Sequence, residues 1–105
     1  MGTPLREPTP AQVPSRPQLD DTALMTAIAA RDQAAFARLY DRHSASTYAL
    51  AYRLLGERDA AEGVVEAVFL ALWHTPGDFA PLQGNVRAQL LTRVRRRACR
   101  IRAVR

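Results

Sequence analysis

The sequence has no lysine, a single cysteine and no long apolar run. Cys99 alone excludes an internal disulfide framework, and His43 and His74 lie far apart without the ligand cluster of a metal site. No apolar stretch approaches the roughly 20 residues that span a bilayer, and the N-terminus has no apolar signal-peptide core. We therefore expect a soluble, cytoplasmic protein that holds neither a metal nor a cofactor.

The basic residues, all of them arginines, are segregated along the chain. Eight of the fifteen lie between Arg87 and Arg105, where there is no acidic residue, and the rest of the chain has ten acids against seven arginines. Arginine binds phosphate groups through two parallel hydrogen bonds and stacks on bases. The cluster indicates a nucleic-acid partner, although a run of this kind also occurs as a solubilising or non-specific tail.

The N-terminal and C-terminal parts of the chain differ in composition. Residues 1–18 hold five of the seven prolines, which predicts a disordered Pro-rich arm. Residues 19–105 are rich in alanine, show helical spacing of apolar residues and show no strand pattern. They predict one compact, all-α domain of four helices.

Capping residues and apolar spacing define the four predicted helices. The predicted N-caps are Asp20 or Asp21, Asp32, Asp59 (in a capping box with Glu62) and Asn85, and Gly56 is the predicted C-cap of the second helix. Residues 74–84 predict an irregular loop because they contain two prolines and two glycines. The predicted buried faces comprise Leu24, Met25 and Ile28; Phe36, Leu39, Tyr40, His43, Thr47, Leu50, Ala51 and Leu54; Ala61, Val64, Val65, Val68 and Leu72; and Val86, Leu90, Val94, Ala98 and Ile101. We interpret His43 as a packed core residue rather than a ligand.

Three stretches in this order resemble conserved region 2 of the sigma-70 superfamily, in its extracytoplasmic-function (ECF) group. They are residues 32–43 (DQAAFARLYDRH), 54–73 (LLGERDAAEGVVEAVFLALW) and 79–92 (FAPLQGNVRAQLLT). The family patterns are close to D-x-x-A-[FL]-x-x-L-Y-x-x-[HY], L-G-D-x-x-x-A-E-[DE]-[LV]-[VT]-Q-[ED]-[VT]-F-L-x-[VL]-W and F-x-x-x-x-x-[SN]-x-x-[AT]-W-L. The resemblance covers about residues 20–105, all but the arm.

The resemblance implies a transcription initiation module. It implies that the third helix binds the clamp helices of the RNA polymerase largest subunit, and that the following loop and the fourth helix recognise and melt the promoter −10 element. The implied polymerase-binding residues are Glu62, Val65, Glu66, Phe69, Leu70 and Trp73. The implied DNA-binding residues are Phe79, Gln83, Gly84, Asn85, Arg87, Arg93, Arg95, Arg96, Arg97 and Arg100. Nothing in the sequence resembles a catalytic constellation, so we do not expect an enzyme.

The sequence departs from the family pattern at several positions. Gly63 and Ala67 stand where acids are usual, Glu66 where glutamine is usual, Gln89 where tryptophan is usual, and Arg100 where aspartate is frequent. The first three lie in the helix that the resemblance assigns to polymerase. The second half of such a factor, the region 4 helix-turn-helix that reads the −35 element, is not in these 105 residues.

Two other functions remain open from the sequence. The chain could be a lone sigma-like interaction module that binds an anti-sigma factor or polymerase without initiating transcription, which the missing acids favour. It could also be a non-specific arginine-rich nucleic-acid binder, and affinity for any DNA regardless of sequence would favour that. Residue by residue, Phe69 and Trp73 are also compatible with a purely structural role in the core, and Glu62 and Glu66 with a solvated surface.

Overall fold

The computed structural model describes residues 20–79 and 85–104, which form four α-helices and one short 3-10 turn. The elements are α1 (Asp21–Ala29), α2 (Gln33–Leu55), α3 (Arg58–His74), the 3-10 turn (Pro76–Phe79) and α4 (Val86–Val104). No strand occurs in these two ranges, and the predicted all-α, four-helix fold is confirmed. The Pro-rich arm predicted for residues 1–18 lies outside the described residues.

Side-chain caps begin three of the four helices, as predicted. The Asp20 carboxylate accepts a hydrogen bond from the backbone N–H of Ala23 at 2.9 Å. Asp32 accepts from two backbone N–H groups at 3.0 and 3.2 Å, and Asn85 accepts from one at 2.7 Å. Each cap satisfies N–H groups that have no partner inside the helix. Gly56 ends α2 at φ 73°, the left-handed conformation that favours glycine.

The predicted start of α3 is wrong by two residues. The helix begins at Arg58, and Glu57 occupies the N-cap position without a side-chain capping bond. Since Gly56 and Glu57 alone separate α2 from α3, the chain has already turned before it reaches Asp59. Asp59 therefore lies in the first turn of α3, where its negative charge complements the helix dipole instead of forming a capping box with Glu62.

The predicted irregular loop over residues 74–84 is partly wrong. His74 is the last residue of α3, and Pro76–Phe79 form the 3-10 turn. Proline at the first position of this turn is compatible with helical geometry because its fixed φ suits that position and its missing N–H is not needed there. Residues 80–84 lie outside the described part of the chain.

The core lies between α2 and the three other helices, all of which pack against it. The predicted faces of α1, α3 and α4 are buried, apart from a half-buried Ile101. On α2 the prediction fails at Tyr40, which is 40% exposed because it lies at the edge of the core with its ring 4.8 Å from that of Phe69. Phe69 and Phe79 are the largest fully enclosed side chains among the described residues.

A buried histidine joins α1 to α2. His43 is 4% exposed, and its Nε2 lies 2.7 Å from the Oδ2 of Asp21, whose other oxygen accepts from Arg42 at 2.8 Å. The other ring nitrogen, Nδ1, is buried without a partner. A carboxylate only accepts hydrogen bonds, so Nε2 is the ring nitrogen that donates to Asp21. The interpretation of His43 as a packed core residue is confirmed.

This contact predicts a measurable loss of stability. Replacing Asp21 with alanine leaves both nitrogens of the buried His43 ring without a partner, and we expect the free energy of unfolding to fall by about 1–3 kcal/mol. Urea denaturation followed by circular dichroism measures the change. Asp41→Ala removes the same charge from an exposed position of α2. An equal loss in both variants would show that His43 does not depend on Asp21.

Candidate functional site

An acidic and aromatic surface runs along one side of α3. Glu62, Glu66 and Leu70 follow one another at intervals of four residues and are all exposed, with Leu70 47% exposed. Tyr40 of α2 lies beside them, and together with Phe36 and Phe69 these residues line a shallow pocket. We call Tyr40, Glu62, Glu66 and Leu70 the acidic-aromatic face.

The structure brings together only part of the residue set that the resemblance assigns to polymerase. Glu62, Glu66 and Leu70 share the acidic-aromatic face, whereas Val65 and Phe69 are 4% and 2% exposed and support it from beneath. Trp73 is half-buried, with its ring 5.3 Å from that of Phe36. Sequence reasoning missed Tyr40 as part of this surface, because its helical spacing placed it on the buried stripe of α2.

Arg31 holds the far end of α3 in place. Its guanidinium lies 3.9 Å from the centre of the Trp73 ring and donates a hydrogen bond to the Trp73 carbonyl oxygen at 2.7 Å. Arg31 itself has φ 69°, a left-handed conformation that is uncommon for a residue other than glycine. The contact satisfies one of the terminal carbonyls of α3 and covers one side of Trp73. Trp73 therefore has a structural role in this packing.

Phe79 and Arg93 join the 3-10 turn to α4. Phe79 is fully buried, and the Arg93 guanidinium lies 4.1 Å from the centre of its ring. Arg93 also donates to the backbone oxygen of Asp78 at 3.2 Å. The resemblance assigns Phe79 to DNA binding, whereas its ring lies in the core of this domain. Gln83 and Gly84, the loop residues expected to contact DNA, lie outside the described residues, and the Asn85 side-chain oxygen serves as the N-cap of α4.

The arginines of α4 occupy two different sides of the helix. The helix contains seven arginines and no acid. Arg93, Arg96, Arg97 and Arg100 line the depressions between α3 and α4. Arg95 and Arg102 lie on the opposite side, since each residue advances the direction around the axis by about 100°. Five of the six arginines that the resemblance assigns to DNA are thus divided between a groove edge (Arg93, Arg96, Arg97, Arg100) and an outer edge, where Arg95 lies beside Arg102, an arginine outside that set.

Comparisons with known proteins give the family. The Sigma-70 region 2 family model matches residues 39–104, more than half of the chain. The chain belongs to the sigma-70 region 2 family. Curated relatives agree and place it in the ECF group: the ECF RNA polymerase sigma factor SigK of Mycobacterium tuberculosis H37Rv is 35% identical over 85 residues, which is 81% of this chain and 46% of that protein.

Other curated relatives bear the same description. SigK of Mycobacterium bovis BCG Pasteur is also 35% identical over 85 residues, and SigK of Mycobacterium sp. KMS is 35% identical over 79 residues, or 75% of this chain and 41% of that protein. This ECF region 2 domain therefore spans less than half the length of the curated relatives that it matches. No solved structure gave a significant match.

None of the helices in residues 20–79 and 85–104 has the length and apolar character of a membrane span. Within the same ranges, no group of three or more histidine, cysteine or acidic side chains is placed to hold a metal ion.

Three departures of this region 2 domain from the family pattern lie together in space. Gly63, Ala67 and Arg100 all line one open groove between α3 and α4. We call it the α3–α4 groove, with a floor formed by Ala60, Gly63, Ala67 and Ala71 and an arginine wall formed by Arg97 and Arg100. Gly63 and Ala67 are neighbours one turn apart on α3, and the packing of α3 against α4 brings the distant Arg100 beside them.

Gly63 is not required by the packing of α3. A Cβ atom added at this position would meet no atom within 4 Å, and its backbone is helical. Gly63→Ala should therefore raise the free energy of unfolding by about 0.5–1 kcal/mol, since alanine loses less backbone entropy on folding.

Gly56→Ala is the matched control for this measurement. Position 56 is equally open, but its φ of 73° is strained for alanine. The free energy of unfolding of Gly56→Ala should therefore fall by about 1 kcal/mol. Thermal and urea unfolding of both variants would measure the two effects. A loss of stability in Gly63→Ala would show that the glycine is needed by the fold.

Proposed function

We propose that this chain is a transcription initiation module that binds RNA polymerase core through the acidic-aromatic face and promoter −10 DNA through α4 and the residues that precede it in the sequence. The observation that supports this most directly is the separation of charge in a sigma-70 region 2 domain: acids lie exposed along α3, and α4 has seven arginines without an acid. The family consists of transcription initiation factors, and we propose no enzymatic activity. The proposed partners place the protein in the cytoplasm.

The acidic-aromatic face has the chemistry of a protein interface. Leu70 is a large apolar side chain that is 47% exposed, and it lines the same pocket as the core aromatic residues and the acids Glu62 and Glu66. Interfaces commonly place an apolar or aromatic anchor at the centre of a polar rim. The complementary surface on polymerase would supply basic side chains around an apolar patch. Val65, Phe69 and Trp73 would act by supporting this face from within the domain.

The arginines of α4 have the chemistry of a phosphate-binding surface. Arg87, Arg95, Arg96 and Arg100 are exposed. Guanidinium groups bind phosphate oxygens strongly and fix the position of a strand without reading its sequence. We propose that residues 80–84, which include Gln83 and Gly84 and precede α4 in the sequence, read the −10 bases. Melting needs no chemistry in this scheme, because binding energy for an opened strand can hold the duplex open.

Polymerase binding is tested by a titration of the full chain against RNA polymerase core. We expect Glu66→Ala combined with Leu70→Ala to weaken saturable binding by about tenfold or more, because it removes an acid and the apolar anchor from the proposed interface. Both side chains are exposed, so the fold should persist. Fluorescence anisotropy of the labelled domain measures the affinity.

A matched control removes an exposed acid and an exposed large side chain from α2 instead of α3. Asp41→Ala combined with Tyr52→Ala deletes an exposed acid and an aromatic residue that is 47% exposed, and it should leave polymerase affinity unchanged. If the folded wild-type domain does not bind core, or if both double variants lose affinity equally, the acidic-aromatic face is not the polymerase site.

DNA binding is tested through its salt dependence. Arg95→Ala with Arg96→Ala should weaken binding to a −10 oligonucleotide and reduce the slope of log K against log salt by about 1.4–1.8, if each arginine neutralises one phosphate. Folding should be nearly unchanged because both residues are exposed. Arg38→Ala with Arg53→Ala removes the same charge from exposed positions of α2. An equal change of slope in that control would assign the binding to overall charge.

The second candidate function is a lone sigma-like module that binds an anti-sigma factor or polymerase without initiating transcription. Gly63 and Ala67 favour it, because they replace acids of the family pattern on α3 with small residues beside the acidic-aromatic face. A folded domain that binds an anti-sigma factor, but not polymerase core with promoter DNA, would support it. A third candidate, a non-specific arginine-rich nucleic-acid binder, requires equal affinity for DNA of any sequence.

A further inference from the structure

We infer that the α3–α4 groove is a docking site for an acidic amphipathic helix of a partner protein. The groove is separate from the acidic-aromatic face, although α3 contributes to both. The inference does not rest on the proposed function, because a domain that failed to bind polymerase or promoter DNA would still present this groove.

The small residues on the floor of the groove allow another helix to approach closely. Ala60, Gly63, Ala67 and Ala71 follow one another along α3 at intervals of three or four residues. They extend over about 17 Å at 1.5 Å per residue, or three turns. Helices pack at axial separations of about 8–10 Å, and small side chains allow the closer distances. Gly63 leaves this floor open, and no packing contact of α3 requires a glycine there.

The arginine wall gives the groove a definite charge. Arg97 and Arg100 border the floor along α4, and Arg93 and Arg96 continue the line toward the 3-10 turn. No aspartate or glutamate is among the described residues that line the groove. Arginines in a desolvated interface need carboxylates as partners, since their hydrogen bonds to charged acceptors are the strong ones. The partner must therefore present acids along the edge that faces α4.

Apolar side chains at the open end of the groove require an apolar partner surface as well. Ile101 is half-buried, and Val104 is 85% exposed at the end of α4. With the half-buried alanines of the floor, they form a strip that water contacts in the free domain. A helix with acids on one edge and apolar residues on the adjoining face would cover both features.

The lining of the groove favours protein over nucleic acid. Binding of single strands depends on aromatic side chains on which bases stack, and no aromatic residue lines the α3–α4 groove in the described part of the chain. The sugar-phosphate backbone would pair with the arginines but leave the alanine and valine surface uncovered. Residues 1–19 are also a poor occupant, because they contain one acid, Glu7, against Arg6 and Arg16.

The test uses the full chain and a designed peptide as probe. The probe is a fluorescein-labelled helical peptide of about 20 residues, long enough to cover three turns, with leucine and alanine on one face and glutamates along one edge. A matched peptide replaces every glutamate with glutamine. We expect saturable binding of the acidic peptide, and binding of the glutamine peptide that is weaker by about tenfold or more. No saturable binding of the acidic peptide, or equal binding of both peptides, overturns the inference.

Three double variants locate the site. Gly63→Glu with Ala67→Glu adds acids to the floor, and Arg97→Ala with Arg100→Ala removes the wall; each should weaken peptide binding by about tenfold or more. Arg95→Ala with Arg102→Ala removes the same charge from the outer edge of α4 and should change binding by less than about twofold. Equal losses of affinity in the wall and outer-edge variants would show that overall charge attracts the peptide, and would overturn the assignment of the binding site to the groove. Circular dichroism verifies that each variant is folded.

Two further measurements exclude the other occupants. Light scattering gives the mass of the free chain, and a dimer that the Gly63→Glu, Ala67→Glu variant dissociates would identify a second copy as the occupant. A single-stranded oligonucleotide that displaces the peptide, and that loses affinity in the same variants, would identify nucleic acid. Either result overturns the inference that a helix of a partner protein occupies the groove. The Glu66→Ala, Leu70→Ala variant should still bind the peptide saturably, which separates this outcome from a failure of polymerase binding.

Discussion

The narrow apolar stripe of α4 is the constraint on which the rest of the structure depends. Val86, Leu90, Val94 and Ala98 are at most 4% exposed, and they hold against the core a helix whose seven arginines repel one another. Burial of such side chains contributes about 25 cal/mol per Å² of apolar area, which opposes that repulsion. Because the buried stripe occupies one side of the helix, the arginines are left on the remaining surface, where they are available to a partner.

The same packing explains why α3 has two different exposed sides. Its inward residues pack against α2 and α4, and the outward side of α3 stays open to solvent. The edge of this outward side nearer α2 bears Glu62, Glu66 and Leu70 beside Tyr40. The edge nearer α4 bears Gly63 and Ala67 beside the arginines of α4. One stripe of α3 thus bears the acids, and the adjacent stripe adjoins the arginines of α4. No ion pair is found across the groove in the described residues.

Local signals predicted the elements of the fold, and tertiary packing decided the roles of individual residues. Apolar spacing identified four helices, and Asp32, Asn85 and Gly56 were predicted as caps because capping depends on the nearest few residues. The start of α3 was missed because the tight turn after Gly56 left no room for a cap at Asp59. The burial of Phe79 under Arg93 and the contact of Arg31 with Trp73 join residues distant in sequence, so no local pattern indicates them.

The closeness of the two sides of α3 has a consequence for regulation under both proposals. Successive residues advance about 100° around a helix, so Glu66 and Ala67 belong to neighbouring stripes of α3. A helix with its side chains is about 10–12 Å wide, more than the separation of adjacent stripes on the surface of α3. A partner helix seated over Gly63 and Ala67 would thus crowd any protein bound at Glu62 and Glu66, and its acids would neutralise Arg97 and Arg100 at the same time. One acidic helix in this groove would oppose both polymerase binding and phosphate binding, which is the behaviour expected of an inhibitor of initiation.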